Sequence, residues 1–324
     1  MRKLVGVIAV AATIAGLGDA AAQTYPSRPV SMVVPYAPGG PTDTIARIMA
    51  EHMRGLLGQP VIIENVSGAG GSIGVARVAR ATPDGYTLSV GNLSSHVMNG
   101  AVYALPYDLI ADFAPVALLS FQPMLIVARK SLPADDLRGL IAWLKANAGN
   151  ATVGIQGVGT AGHVFAVFFQ KEIGTPLALV PYRGAGPAMQ DLLAGQIDCM
   201  IDTPTNSLPQ VRGGTIKAYA VTAESRLPSA RDIPTVDETG LPGFHFSFWQ
   251  ALWAPKGIPA AVIDKLNAAV VASLADPAIR QRFAEQGQEV PAVAQQTPQA
   301  LAAYHKAEIE KWWPIVKGAN IKAE

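Results

Sequence analysis

The most explicit chemical signature in the chain is Gly157-Val-Gly-Thr-Ala-Gly162, a glycine-rich turn between a β-branched run and an apolar helical pattern. Glycines so spaced let an anion approach backbone N–H groups at the start of a helix, where the peptide dipoles also favour negative charge. Read literally, the turn is a dinucleotide fingerprint. The next strand, however, runs into Val180-Pro-Tyr-Arg183 and supplies no acid for a ribose hydroxyl; Arg183 would at best suit a 2′-phosphate. A second glycine-rich turn, Pro38-Gly-Gly-Pro41, precedes another helical pattern. One such nest on each side suits a ligand with two anionic ends, or a single anion held from both sides.

Candidate binding residues cluster at these turns. Around the first lie Tyr36, Pro38, Gly39, Gly40, Thr42 and Asp43, although Asp43 also suits the helix dipole without touching a ligand. Ser94, Ser95 and His96 end a further loop at 91–96. In the second half Gln156, Gly157, Gly159, Thr160 and His163 surround the fingerprint, with Thr160 placed to cap its helix. Arg183 is the only basic residue in these loops, and a carboxylate is its natural partner. His96 and His163 could hydrogen-bond a carboxylate, but lone histidines are more often structural. Asp202 would repel an anion unless it orients water or accepts from an amine or hydroxyl. No GxSxG, HExxH or P-loop Lys-Ser/Thr occurs, and the five histidines lack metal-ligand spacing. No catalytic residue, metal or cofactor is therefore expected.

The elements that must position these residues occur twice. Val30 to Val34 reads as a strand, and Ile45, Ile48, Met49, Met53 and Leu56 recur on one face of the helix after Pro41. Thr152 to Ile155, then Val164, Phe165, Phe168 and Phe169, repeat the order. Gly58-x-Pro60-Val61-x-Ile63 matches Gly174-x-Pro176-Leu177-x-Leu179 at an offset of 116, and Gly68-Ala-Gly70 matches Gly184-Ala-Gly186 at the same offset. A third echo pairs Ala128-x-Lys-x-Leu-Pro-Ala134 with Ala254-x-Lys-x-Ile-Pro-Ala260. Each copy of the third echo follows an apolar run, which would cross between lobes and form a hinge around a cleft. Alternating strands and helices predict parallel sheets, with ligand at the strand carboxyl ends. Trp312-Trp313 reads as core or lobe packing.

Composition fits this picture. The 324 residues are 50% hydrophobic and 15% charged, with 25 Lys+Arg against 24 Asp+Glu, which excludes a disordered chain and a basic nucleic-acid binder. One cysteine excludes an intramolecular disulfide. Arg2-Lys3, an uncharged run from Leu4 to Leu17 and Ala20-Ala-Ala22 read as a cleavable signal peptide over 1–22, too short to span a bilayer. Its removal leaves 23 basic and 23 acidic residues. An exported chain has no steady supply of nicotinamide cofactor, which argues further against the literal fingerprint.

Taken together, several segments resemble the extracytoplasmic solute-binding proteins of tripartite tricarboxylate transporters, the Bug or TctC-like family. They are Tyr25-Pro-Ser-Arg-Pro29, Val34-Pro-Tyr-Ala-Pro-Gly-Gly-Pro-Thr-Asp43, Gly68-Ala-Gly-Gly-Ser-Ile-Gly74 and Pro83-Asp-Gly-Tyr-Thr-Leu88. Leu105-Pro-Tyr-Asp108, Asp112-Phe-Ala-Pro115, Gly157-Val-Gly-Thr160 with His163, and Pro181-Tyr-Arg-Gly184 continue the match. The resemblance implies an α/β, two-lobed periplasmic-binding-protein fold of type II, with two crossing strands. It also implies that the loop at 35–43 holds a carboxylate, partly through ordered water, while the turn at 157–160 clasps it from the other lobe. Arg183 stands where lysine is common in the family, and Gln156 where a small hydroxyl residue is frequent.

The resulting expectation is a monomeric, non-enzymatic periplasmic receptor that delivers a small organic carboxylate to membrane transport subunits. One lobe would comprise 23–125 with 246–324, the other 126–245. The alternatives are an NADP-dependent oxidoreductase using Gly157, Gly159 and Gly162, and a same-fold sensor for a membrane signalling partner.

Overall fold

The computed structural model describes residues 25–319 and 321. The expected signal peptide at 1–22 lies outside the described residues. With single turns left unlabelled, the chain runs β1 (Val30–Val34), α1 (Pro41–Leu57), β2 (Val61–Asn65), α2 (Ser72–Ala79), β3 (Thr87–Asn92) and β4 (Phe113–Pro123). It continues through β5 (Leu125–Arg129), α3 (Leu137–Ala146), β6 (Thr152–Ile155), α4 (Ala161–Ile173), β7 (Ala178–Pro181), α5 (Ala185–Leu193) and β8 (Cys199–Asp202). Next come α6 (Pro204–Arg212), β9 (Ile216–Val221), β10 (Ser247–Pro255), α7 (Ala260–Ala275), α8 (Pro277–Glu285) and α9 (Pro298–Gly318). No helix among the described residues is long and apolar enough to cross a membrane.

The strands form two five-stranded sheets, ordered β2-β1-β3-β10-β4 and β7-β6-β8-β5-β9. Each centres one lobe of a two-lobed α/β fold. The sequence predicts parallel sheets, and three strands of each are parallel. In each sheet the fourth strand, β10 or β5, runs antiparallel to both of its neighbours, so both sheets are mixed. The reason is the exchange between lobes. β4 ends the first sheet at Pro123 and leads directly into β5, the fourth strand of the second; β9 leads back to β10, the fourth strand of the first. A strand arriving from the opposite lobe enters against the direction set by the strand–helix–strand units.

The crossover is tied by Thr222. Its N–H donates to Met124 O at 2.9 Å, and its Oγ1 accepts from Met124 N–H at 2.9 Å. Phe246 N–H in turn donates to Thr222 O at 3.0 Å. Three backbone segments thus meet where the chain changes lobes.

The internal repeat is visible in the backbone. Gly58 and Gly174 end α1 and α4 in the left-handed region, with φ of 71° and 64°. Gly68 and Gly184 have φ of 134° and 133°, a conformation that side chains disfavour. The buried arc of α1 includes Ile45, Ile48, Met49 and Met53, whereas Leu56 is exposed and Leu57 takes the last core position. The arc is centred nearer Ala46 and Met53, which leaves Leu56 at its margin in the final turn. Trp312 and Trp313 pack rather than line a cavity: Trp312 lies against Phe165 of the second lobe, and Trp313 Nε1 donates to Val97 O at 2.8 Å.

Candidate ligand-binding site

Four helices begin at one cavity between the lobes. Gly40, Pro41 and Thr42 at the start of α1 form one wall, facing Thr160 before α4, Ala185 at the start of α5 and Thr203 before α6. Counting its open mouth, the cavity holds about 440 Å³ of empty space. The first N–H groups of a helix lack intrahelical partners. At α1, α5 and α6 no side chain caps them, so they remain available to a ligand. At α4 the first N–H, from Ala161, is taken across the cleft by Ser94 Oγ at 2.8 Å. No Lys or Arg lines this cavity. Its electropositive character rests on backbone.

Asn92, at the end of β3, fixes the first-lobe side. Its Oδ1 accepts from Tyr36 Oη at 3.0 Å and Ser94 N–H at 2.9 Å, and its Nδ2 donates to Thr42 Oγ1 at 3.0 Å. One amide therefore ties the loop at 35–43 to the loop at 91–96. On the second-lobe side, Thr160 Oγ1 donates to Gly157 O at 2.8 Å, closing the turn before α4. Gln156 Nε2 donates to Ile201 O at 3.2 Å.

Asp202 and Thr203 line the floor of the same cavity. Asp202 is wholly buried; its Oδ2 accepts from Asn206 Nδ2 and Ser207 Oγ, each at 2.7 Å. Its Oδ1 has no partner, and neither has Thr203 Oγ1. Burial pushes the Asp202 carboxyl up to about 6, with hydrogen bonds from Ser207, Asn206 and the Thr203 backbone only partly offsetting it.

The structure thus gathers Tyr36, Gly40, Thr42, Ser94, Gln156, Thr160 and Asp202 around one cavity. The remaining candidates fall elsewhere. Gly157 and Arg183 line an adjoining recess with Gly68, Gly70 and Tyr103, separated from the cavity by Tyr36 and Gln156, which line both. Pro38, Gly39 and Asp43 face an outer groove behind the α1 N-terminus. Burial alone would raise the Asp43 pKa, but hydrogen bonds from Arg47, Gly39 N–H and Asn65 outweigh it and hold the carboxylate below its ordinary range. Ser95 Oγ is engaged by Asn92 N–H and by His96 Nδ1. His96 is buried, stacked on Trp253 at 3.8 Å between ring centroids, and burial holds its pKa well below the ordinary value. His163 Nδ1 accepts from Gly159 N–H at 3.0 Å, so it braces the turn as an unprotonated acceptor.

The fingerprint glycines have local explanations. Gly157 and Gly159 have φ of 125° and 75°. A Cβ on Gly162 would lie 1.5 Å from Gln156 Oε1, so this glycine makes room for the neighbouring amide. Sequence reasoning missed Met124 and Phe248, which line the cavity from the crossover. Their apolar runs signalled crossing strands but gave no sign of facing ligand. Asn92 lies inside the 91–96 loop, and its signal was an amide directly at a strand end.

A cleft between two sheets that exchange strands, lined by helix N-termini, defines a solute-binding protein of the periplasmic-binding-protein type. The family described as tripartite tricarboxylate transporter family receptor matches residues 45–321, and the chain belongs to it. That family consists of binding receptors, not enzymes, which sets the oxidoreductase alternative aside. Among solved structures, the periplasmic binding protein BugD is 41% identical, with a TM-score of 0.88 over 92% of this chain and 100% of that one. MatC from Rhodopseudomonas palustris, with bound malate, is 41% identical, with a TM-score of 0.86 over 90% of this chain and 100% of that one. A second R. palustris protein, with adipate, is 33% identical, with a TM-score of 0.88 over 92% of this chain and 100% of that one. Two of these relatives hold a dicarboxylate in their structures.

Proposed function

We infer that this chain is a periplasmic receptor that captures a small organic carboxylate between its lobes and hands it to membrane subunits of a tripartite transporter. One observation carries the reading: three uncapped helix N-termini, at Gly40, Gly184 and Thr203, meet at a single cavity lacking basic side chains. Converging N–H groups and dipoles select an anion while leaving the lobes free to separate, because no strong ion pair must be broken. Malate in one relative and adipate in another support a carboxylate as that anion.

Capture works by a shift between open and closed lobes, since ligand contacts both walls only when they meet. In this reading the direct bonds between the lobes belong to the closed form. Tyr103 Oη donates to Val158 O at 2.7 Å, and Thr205 Oγ1 donates to Gln122 Oε1 at 3.0 Å. Arg183, exposed at the edge of the adjoining recess, serves in this reading to draw the anion toward the cleft.

A thermal-shift screen against mono-, di- and tricarboxylates tests the proposal. A ligand at about 100 times its Kd stabilises the native state by about 2.7 kcal/mol, which moves the melting temperature by several degrees. No stabilisation by any carboxylate, with stabilisation by NADPH, would contradict it.

A further inference from the structure

The lobes are also joined away from the cavity, by three polar side chains. Gln122 lies at the end of β4 and Gln288 just after α8, both in the first lobe; Thr205 stands in the first turn of α6, in the second. Gln122, Thr205 and Gln288 are only 1%, 4% and 4% exposed. Thr205 Oγ1 has two acceptors within reach, Gln122 Oε1 at 3.0 Å and Gln286 O at 3.1 Å, and it accepts from Gln288 Nε2. Gln288 Nε2 also donates to Gln122 Oε1 at 2.7 Å. Every bond of this hydroxyl therefore goes to the first lobe. Gln122 Nε2 and Gln288 Oε1 remain unpartnered, so the two glutamine side chains reach α6 through Thr205 alone.

The backbone nearby is shaped to the same contact. Gly287 has φ of +70°, and a Cβ there would collide with the Pro204 ring, so glycine lets this segment lie against the start of α6. At the other end of the helix, Arg212 Nη1 donates to Glu285 O at 3.0 Å. Gln122, Thr205 and Gln288 line neither the cavity nor the recess beside it. Their effect on a ligand can only pass through the position of α6, whose start at Thr203 and Pro204 faces the cavity.

We propose that Thr205 is a positioning residue for capture: its hydroxyl bridges α6 to the first lobe and sets how long the closed form lasts, without choosing the acid. The inference rests on the reading above, in which bonds between the lobes belong to the closed form. Such a bond slows the parting of the lobes, and ligand leaves when they part. Its loss raises the dissociation rate and leaves association nearly untouched.

Stopped-flow binding of succinate, malate, adipate and citrate to the whole mature chain tests this. Thr205→Val keeps the shape and removes the hydroxyl; Thr205→Ser keeps the hydroxyl. In Thr205→Val the dissociation rate of each acid that binds should rise about tenfold, by a similar factor for all. The association rate should stay within about twofold and the unliganded melting temperature within about 2 °C. Thr205→Ser should return the rate to within about threefold of native. Gln288→Met removes the partner from the first lobe and should act like Thr205→Val, with the double variant little worse than either. Unchanged dissociation rates in Thr205→Val and Gln288→Met overturn the inference and leave the carboxylate reading intact. So does a faster dissociation matched by a lower unliganded melting temperature, which marks a merely structural role, or one confined to a single acid. Failure of all four acids to bind contradicts the carboxylate reading itself, and the inference falls with it. Gln288→Met is decisive if Thr205→Val does not fold.

Discussion

Val102 of the first lobe occupies the place where a side chain on Gly159 of the second would begin: a Cβ there would lie 2.9–3.1 Å from three carbons of Val102. The two residues are apart in sequence and meet across the cleft. A methyl at 159 therefore acts as a wedge against closure.

Gly159→Ala is predicted to weaken carboxylate binding at least about tenfold while lowering unliganded stability by only about 1–2 kcal/mol, the ordinary cost of a positive φ. Gly39→Ala is the matched control. Gly39 has φ of +80° but nothing within 4 Å of a built Cβ, so it carries the backbone cost without the wedge. Calorimetry on both variants separates the effects; equal losses of affinity would show that closure is not what the methyl disturbs.

Gly162→Ala tests the coupling of Gln156 to the helix start. The added methyl displaces the Gln156 amide from its bond to Ile201 O and pushes it into the cavity. Ligand affinity should fall with little change in melting temperature. In a Gln156→Ala background the same substitution should be nearly silent, and a double-mutant cycle measures the difference. Additive losses would show that Gly162 matters for another reason.

Arg183→Ala should act on the approach rather than on the grip, because the guanidinium lies in the recess beyond Tyr36 and Gln156. Stopped-flow binding is expected to show a several-fold lower association rate, a weaker salt dependence and an almost unchanged dissociation rate. A dissociation rate raised tenfold or more would place Arg183 on the ligand itself.

Two buried groups give the stability a distinctive pH profile. Burial pulls the His305 pKa down to about 4, so stability due to its neutral form is present above about pH 6.5 and is lost as pH falls through about 4. Asp202 has the opposite sign: its folded pKa is raised from 3.8 to about 6, so its contribution is full below 3.8 and is lost as pH rises through 6. Urea unfolding of native protein and Asp202→Asn from pH 4 to 7 isolates the second effect. The native protein's stability relative to the variant should decline by about 2–3 kcal/mol across that range, the free-energy equivalent of the gap between the folded and unfolded pKa values. A difference that stays flat, or grows with pH, would contradict a carboxyl buried without a full set of partners.

Much of the architecture was legible because the repeat is written in backbone requirements. Gly58 and Gly174 terminate equivalent helices with left-handed residues, and Gly68 and Gly184 share a conformation open mainly to glycine. Such positions show directly in residue type. The antiparallel strands were not legible, since an apolar run such as that of β10 looks the same in either direction. The helix N-termini at Pro41 and after Thr160 followed from glycine and proline placement, but those of α5 and α6 were not read, and neither were the roles of the polar side chains. His96 and Asp43 could not be told from ligand contacts until Trp253 and Arg47 were seen beside them, each placed there by the tertiary fold. Met124 and Phe248 stayed hidden for the same reason. Their exposure to the cavity depends on where two crossing strands pass between lobes.

The central claim is that a carboxylate sits where the helix N-termini meet. A crystal structure of the protein with the tightest-binding acid from the screen tests it most directly. The predicted result is a ligand carboxyl group within hydrogen-bond distance of backbone N–H groups at the start of α1, α5 or α6, in the cavity lined by Thr42, Thr160, Ala185 and Thr203. A ligand centred instead on Arg183 and the turn at 68–71, with that cavity filled only by solvent, would contradict it.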